Sequence, residues 1–163
     1  MVGKRISRPV PLLLLIAVAA KMETPKCAED TSIQFVAYCD LVHAPAKFDG
    51  HLVRTDAVWQ RMIHAGALAD RACASSSSEP LLTLPSFSEH SNFNSSLRRE
   101  LWNLLGKDGA AHVRVVGMFH GPKRRLYAAD GQRFQIEIEC LLSVTPLKPS
   151  EKSDLPSRFS LPH

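Results

Sequence analysis

The chain has 163 residues and a formal net charge of +4 at pH 7, and 45% of its residues are hydrophobic. This length fits one domain with a modest core. Removing Lys4, Arg5 and Arg8 from the 20 basic residues leaves 17 against 16 acidic residues, a net charge of +1. The positive charge therefore lies mainly in the N-terminal segment, so the net charge of the chain says little about nucleic-acid binding, which needs a basic surface on the domain itself.

Residues 1–20 have the pattern of a secretory signal peptide. The three cations precede an uncharged apolar run from Val10 to Ala20, and its alanines suit cleavage near Ala19 or Ala20. The run is shorter than the roughly 20 residues that a membrane span requires, and an uncleaved signal anchor is the alternative. We therefore expect a secreted or periplasmic protein without an integral membrane span, with a flexible leader over residues 21–31.

A helix and a strand are predicted next, joined by a short turn. Apolar residues from Ile33 to Val42 follow helical spacing and predict a helix of about three turns, capped near residues 30–32. Pro45 disfavours helical backbone before it, so this helix should end at about His43 or Ala44. Asp49-Gly50 suits a tight turn. Alternation then predicts a strand over 52–60 with one face formed by Val53, Thr55, Ala57 and Trp59.

The middle of the chain carries weaker signals. A second strand is expected around residues 62–70, although Ala65-Gly66-Ala67 is poor strand material. Residues 70–79 contain a run of serines and predict a loop. Residues 81–84, between Pro80 and Pro85, predict a short edge strand, and residues 86–94 show no convincing period.

The C-terminal half predicts one helix and two strands. Ser95 or Ser96 can cap a helix that carries a stripe of leucines, and Gly106 suits its C-terminal cap. Residues 107–109 predict a turn, and residues 112–119 a strand in which Gly117 marks a bulge or a close approach. The last strand, over 134–144, has an apolar face formed by Phe134, Ile136, Ile138, Cys140, Leu142 and Val144. Residues 146–163 are rich in proline and predict a disordered tail.

The chain has four cysteines, an even number in a chain expected to be exported to an oxidising compartment. Three complete pairings are possible, and we favour one bridge, Cys39–Cys73. Cys140 lies on the apolar phase of its strand, which suits a small core residue as well as a half-cystine. No Cys-x-x-Cys occurs, so the spacing does not indicate a redox or zinc-ribbon site.

The element order is helix, three strands, helix, two strands, which is the plan of the OB-fold. We therefore predict a mainly β (α+β) domain over residues 32–145, namely a five-stranded OB-like Greek-key barrel. It has an N-terminal helix and a second helix between strands 3 and 4.

Short motifs also resemble small secreted bacterial OB-fold-like proteins of unknown function. In that group a helix ends in a Pro-x-x-aromatic-Asp-Gly-x-x-Val turn, as in Pro45-x-x-Phe48-Asp49-Gly50-x-x-Val53. A cysteine lies in that helix and another follows the early strands, at the positions of Cys39 and Cys73. Residues 115–119 and 134–138 are similar to the closing strands of the group. The resemblance implies a secreted barrel and brings no catalytic residues.

Binding is the first functional hypothesis. OB-folds bind oligonucleotides or oligosaccharides on strands 2 and 3 and on the loops that join strands 1–2 and 4–5. Aromatic and basic residues occur in both loop regions, and this combination suits stacking with phosphate or sulfate contact. The predicted ligand-binding residues are Trp59, Arg61, His64, Lys123, Arg124, Arg125 and Tyr127. The alternative is that Trp59 belongs to the core and the basic run is a solvated loop.

We expect a binding or interaction module rather than an enzyme. A secreted nuclease would need clustered carboxylates, but Asp56, Asp70 and Asp130 are spread singly. The seven histidines include no close pair of metal-ligand spacing, so neither a metal nor another cofactor is expected. The expected partner is an envelope protein or an anionic polymer, and specific nucleic-acid binding is not expected. An OB-fold hydrolase and a purely structural envelope protein are the alternatives.

Overall fold

The structure is a computed structural model, and it describes residues 30–62, 66–70, 73, 81–89, 91, 94–122 and 132–152. The described part is mainly β, with five strands, three α-helices and one 3₁₀ turn. The predicted signal peptide and most of the leader lie outside the described residues. In chain order the elements are α1 (Tyr38–His43), a 3₁₀ turn (Pro45–Lys47), β1 (His51–Arg61), β2 (Gly66–Ala69), β3 (Thr83–Phe87), α2 (Ser95–Asp108), β4 (Ala110–His120), β5 (Phe134–Pro146) and α3 (Pro149–Lys152).

The first helix is shorter than predicted. It has six residues, because the preceding segment is extended and pairs in parallel with β1 at Arg54. Val36 donates its N–H to Arg54 O, and Arg54 donates its own to Gln34 O, both at 2.9 Å. Asp30 caps a local turn at Ser32 rather than a helix. The predicted end at His43 is confirmed.

The turn before β1 is also confirmed. Gly50 has φ +74°, which glycine adopts without strain. Its N–H donates to Phe119 O at 2.8 Å, and the Asp49 carboxylate accepts from Gly121 N at 2.8 Å. The turn therefore connects the start of β1 to the end of β4.

Five strands close in a ring in the order β1-β2-β3-β5-β4, with β4 paired again to β1. Neighbouring strands are antiparallel except β3 and β5, which run parallel. The four residues predicted to share one face of β1, namely Val53, Thr55, Ala57 and Trp59, are all buried, so that face is the inner one. The core fills the ring, and α1 and α2 supply Leu41, Leu101 and Leu105 to it.

Among the described residues, β2 and β3 share fewer backbone pairs than any other two neighbouring strands of the ring, and we call their junction the seam. In the described residues these strands pair only at Leu68 and Thr83. Strand β3 then continues beside β5 through Pro85 to Phe87, so the predicted end of the strand at residue 84 was wrong. Beyond Thr83 no described β2 residue pairs with β3. Pro85, which has no N–H to donate, is therefore tolerated in this part of the strand.

The hydroxyl of Tyr38 in α1 lies at this seam. It is 2.7 Å from Leu68 O, 2.9 Å from Leu81 O and 2.8 Å from Thr83 Oγ1. Tyr38 is 2% exposed. One buried phenol therefore connects α1 to both sides of the seam.

The ends of α2 differ from the prediction. The N-cap is Asn94, whose side chain accepts from Ser96 N at 3.0 Å, so neither serine is the cap. The helix continues through Gly106 and ends before Gly109, which has φ +74°. Lys107 and Asp108 are helical because the left-handed cap lies three residues later than expected.

Strand β5 contains the register shifts that change its predicted face. The ladder with β4 shifts between Arg114 and Val115 and again between Val116 and Gly117. Leu141 is therefore buried and Leu142 is only half-buried, whereas Leu142 was predicted to face inward. The bulge or close approach predicted at Gly117 is confirmed, because a Cβ there would lie 2.6 Å from Glu137 O.

The predicted tail is ordered at its start. Pro146 belongs to β5, and Leu147 is 5% exposed and packs with Val58 and Ala110. The helical turn α3 follows. The disordered tail predicted over residues 146–163 is therefore wrong as far as Lys152, and the remainder lies outside the described residues.

The predicted disulfide between Cys39 and Cys73 is present, and it joins α1 to the segment after β2. Cys140 is also disulfide-bonded and fully buried, and its partner lies outside the described residues. Of its two predicted roles, Cys140 therefore has that of a half-cystine. Within the described ranges, no helix has the length and apolarity needed to cross a membrane.

Candidate functional site

Two of the seven predicted ligand-binding residues are described. Trp59 is 3% exposed and belongs to the core cluster, as the alternative interpretation expected. Arg61 is exposed at the end of β1, where its N–H donates to Gly109 O at 2.8 Å. The other five, namely His64, Lys123, Arg124, Arg125 and Tyr127, lie outside the described residues.

The ends of the two predicted binding loops do lie together. Gln132, just before β5, is 0% exposed, and its Nε2 donates to Gly66 O at 3.4 Å and lies 3.7 Å from Met62 Sδ. Met62 and Gly66 border the β1–β2 connection. The Oε1 atom of Gln132 has no hydrogen-bond partner in the described part of the chain. The outer side of β2 nearby is a buried apolar cluster of Met62, Ala67, Ala69 and Leu82, so this side does not present a polar surface.

An aromatic cluster lies where β1, β3 and α2 meet. The rings of Trp59 and Phe87 stack with centroids 5.5 Å apart, and Trp102 meets Trp59 edge-on at 6.3 Å. Gly66 packs so closely on the Trp59 indole that a Cβ there would overlap Nε1. Trp59 is thereby fixed, and it supports a second indole that is 49% exposed.

A cation lies beside these rings. The guanidinium carbon of Arg98 is 5.7 Å from the centroid of Phe87. Arg98 and Trp102 are one helical turn apart in α2, which places them side by side. Among the described residues, no carboxylate lies within ion-pair distance of Arg98. We call Phe87, Arg98 and Trp102 the aromatic–arginine patch.

Sequence reasoning missed this patch. Trp102 lies off the stripe of leucines in α2, and a large apolar side chain on an otherwise polar helix face was the available signal. Phe87 fell in the stretch without a period, and Arg98 stands in a common Arg-Arg-Glu run. Only the packing of β3 against α2 brings the three together.

Two acids on the outer face of the sheet lie beside basic residues. Arg114 donates to both oxygens of Asp56 at 2.6 and 2.7 Å, and this hydrogen bonding raises the pKa of Arg114. His120 lies 3.8 Å from the Glu137 carboxylate. Glu137 therefore has a basic neighbour, His120, on the adjacent strand β4.

A third pair joins β4 to the C-terminal turn. The Glu151 carboxylate accepts from Lys148 N at 2.8 Å and lies 3.1 Å from His112 Nε2. The backbone hydrogen bond from Lys148, followed by that with His112, lowers the pKa of Glu151. In these three pairs each acid meets a different basic residue, so they do not form the paired carboxylates that a metal-dependent nuclease needs.

One group in the described residues has the spacing of metal ligands, namely Cys39, Asp70 and Cys73, whose ligand atoms lie within 4.8 Å of one another. The two sulfurs form a disulfide, and a disulfide sulfur does not supply the thiolate that binds metals. The group therefore does not favour a metal centre.

The aromatic–arginine patch can supply an exposed indole for stacking and a guanidinium for binding an anion. Comparisons with protein-family models, with curated proteins and with solved structures found no match. The residues of the chain alone therefore indicate what the patch could bind.

Proposed function

We propose that the protein is a secreted or periplasmic binding module with an OB-like Greek-key topology and without a catalytic centre. The strand order β1-β2-β3-β5-β4, with a helix between β3 and β4, supports this topology. The disulfide between Cys39 and Cys73 supports an oxidising compartment. Within the described ranges, Asp56, Glu137 and Glu151 each lie beside a basic residue and not beside a second carboxylate, which supports binding over catalysis.

The aromatic–arginine patch is the observation that carries the proposed function. Apart from Phe35, Trp102 is the one exposed large hydrophobic side chain of the described residues. It rests on a buried aromatic ring and stands beside Arg98, whereas the arginine on the sheet face is neutralised by Asp56. An exposed aromatic beside a cation without a carboxylate partner is a surface suited to a ligand. The ligand class proposed is an anionic polymer.

The test is binding of anionic polymers to the secreted protein and to a Trp102→Ala variant. We expect at least one anionic polymer to bind the natural protein and to bind the variant about tenfold or more weakly, equivalent to about 1.4 kcal/mol. Lys47→Gln serves as the control because Lys47 is exposed on the 3₁₀ turn, away from α2 in the chain. Polymer binding that Trp102→Ala leaves unchanged would refute the assignment to the patch. Capture of an envelope protein through Trp102, with no polymer bound, would instead favour a protein partner.

A further inference from the structure

We infer that the aromatic–arginine patch binds an acidic polysaccharide whose sugar rings each carry a carboxylate. This inference rests on the proposed function and narrows it to one ligand class. Three features of α2 and its neighbours support it: the excess of basic over acidic residues on α2, the exposed indole of Trp102, and the distance between Arg98 and Trp102.

The charge distribution indicates an anionic ligand at α2. Asp56 on the sheet is paired with Arg114, and Glu137 and Glu151 lie beside His120 and His112. The exposed charged residues of α2 are Arg98, Arg99, Glu100 and Lys107. With the half-buried Asp108 included, cations outnumber acids on α2 by three to two. No described carboxylate lies within ion-pair distance of Arg98, so an external carboxylate could pair with it.

The exposed indole indicates a ligand with a flat apolar face. Trp102 meets Trp59 edge-on, with 70° between the ring planes, and 49% of its surface is exposed. Because Trp59 is itself stacked on Phe87, the position of the exposed ring is fixed before a ligand arrives. A fixed ring loses little side-chain entropy on binding. The C–H face of a pyranose can stack on such a ring.

The spacing of the two side chains fits one sugar unit. Residues four apart on a helix have Cβ atoms about 5–6 Å from each other. A pyranose ring on Trp102 would therefore bring its own carboxylate within reach of the Arg98 guanidinium. A planar guanidinium can donate two parallel hydrogen bonds to a carboxylate, which a lysine cannot do. Packing over Phe87 holds this guanidinium in place.

A nucleic acid fits the same surface less well. Proteins that bind single strands use a basic groove along several nucleotides together with several stacking rings. The patch offers one exposed indole and one adjacent guanidinium, and residues 21–163 carry a formal net charge of +1 from 17 basic and 16 acidic residues. A polysaccharide whose sugars each carry a carboxylate requires, for each bound sugar, one stacking contact with an aromatic ring and one contact between its carboxylate and a cation. We therefore make nucleic acid and polyphosphate outcomes of the test.

The test compares four probes by calorimetry and by tryptophan fluorescence on the full mature chain. They are a polygalacturonate oligomer, a neutral maltooligosaccharide of the same length, oligo-dT and polyphosphate. We expect the polygalacturonate oligomer to bind about tenfold or more tightly than any of the other three. Equal or tighter binding of the neutral oligosaccharide would overturn the role of the carboxylate.

Variants separate the ring contact from the charge contact. Trp102→Ala and Arg98→Gln should each weaken binding of the polygalacturonate oligomer about tenfold, Arg98→Lys should fall between, and Trp102→Phe should retain most of the affinity. Lys47→Gln removes the same charge elsewhere and should change affinity less than about twofold. If Arg98→Lys binds as tightly as the natural protein, the two-pronged contact is wrong.

The inference and the proposed function fail in different ways. Tighter binding of polyphosphate or oligo-dT that depends on Trp102 would overturn the polysaccharide inference and leave the binding module intact. If none of the four probes binds in a way that depends on Trp102 or Arg98, the polysaccharide inference is overturned and the assignment of polymer binding to the patch fails with it. Circular dichroism of each variant shows whether the fold is retained, and the phenylalanine and lysine variants test the site with the least change in shape.

Discussion

Replacing Tyr38 with phenylalanine should weaken the closure of the ring. The substitution keeps the buried aromatic ring and removes only the hydroxyl, which lies within 2.7–2.9 Å of Leu68 O, Leu81 O and Thr83 Oγ1. These groups flank the β2–β3 seam, where Leu68 and Thr83 form the one backbone pair in the described residues. Leu68 and Thr83 are 0% and 1% exposed, so water cannot readily replace the lost hydroxyl.

The expected cost is about 1–3 kcal/mol, because a buried hydrogen-bonding group left without its partner loses that much. With an m-value of about 2 kcal/mol/M in urea, the unfolding midpoint should fall by about 0.5–1.5 M. Thr83→Val is the matched second variant, since valine keeps the shape of threonine and lacks its hydroxyl. The double variant should cost less than the sum of the two singles by about 0.5–1.5 kcal/mol.

Urea unfolding followed by circular dichroism measures all four proteins of this cycle. A change below about 0.5 kcal/mol for Tyr38→Phe, the range typical of surface substitutions, would refute the role assigned to the hydroxyl. Additive effects of the two substitutions would show that Tyr38 and Thr83 do not act on each other. The first outcome would leave the seam dependent on apolar packing, whereas additive effects would leave the contacts of the Tyr38 hydroxyl with Leu68 O and Leu81 O in place.

The buried phenol of Tyr38 should also make the stability of the fold depend on pH in the alkaline range. Burial is the main cause that raises the pKa of Tyr38, and the hydrogen bond with Thr83 opposes it. A raised pKa in the folded state means that the neutral phenol stabilises the fold fully below the unfolded value of about 10, and that this stability is lost as pH rises above it. The natural protein should therefore lose stability above about pH 10 more steeply than Tyr38→Phe does.

Four further outcomes are expected. Gly117→Ala should lower the free energy of unfolding by about 1–3 kcal/mol, because the new Cβ would lie 2.6 Å from a backbone oxygen of β5. Gly106→Ala, in an open part of α2, should instead raise it by about 0.5–1 kcal/mol in the same urea assay. Replacing Cys39 and Cys73 with alanine should cost about 4 kcal/mol, as expected for a bridge with a sequence separation of 34; a loss below about 1 kcal/mol would contradict this. In an NMR titration the Glu151 carboxyl should have a pKa below its ordinary value, so its stabilising contribution is present above about pH 4.3 and is lost as pH falls below it.

The sequence predicted best where one local rule acts alone. The alternation of β1 grouped the residues of one face correctly, and Pro45 predicted the end of α1, because both signals depend only on residues adjacent in the chain. The start of α1 could not be found in this way. The spacing of Ile33 to Val36 suits a helix, but the open edge of β1 beside Arg54 offered hydrogen bonds to an extended segment. Whether this segment is helical or extended therefore depends on the assembled sheet and not on its own sequence.

The remaining errors also arose from contacts between elements. Leu142 was placed inward because its strand alternates, and the register shifts against β4 moved Leu141 inward instead. Trp102 was overlooked because the leucines of α2 already explain its buried face. Trp102 forms an aromatic cluster only together with Trp59 of β1 and Phe87 of β3. A surface patch built from residues of separate elements has no linear motif.

The exposed side chains of the patch, Arg98 and Trp102, lie on α2, whereas the seam lies between β2 and β3, so binding and stability can be separated experimentally. Arg98 and Trp102 are exposed on α2, and surface substitutions usually change stability by less than about 0.5 kcal/mol. Trp59 is buried beneath the patch, so Trp59→Ala should lower both stability and binding. Loss of affinity at an unchanged free energy of unfolding therefore assigns an effect to the patch. Joint loss of affinity and stability assigns it to the aromatic core on which Trp102 rests.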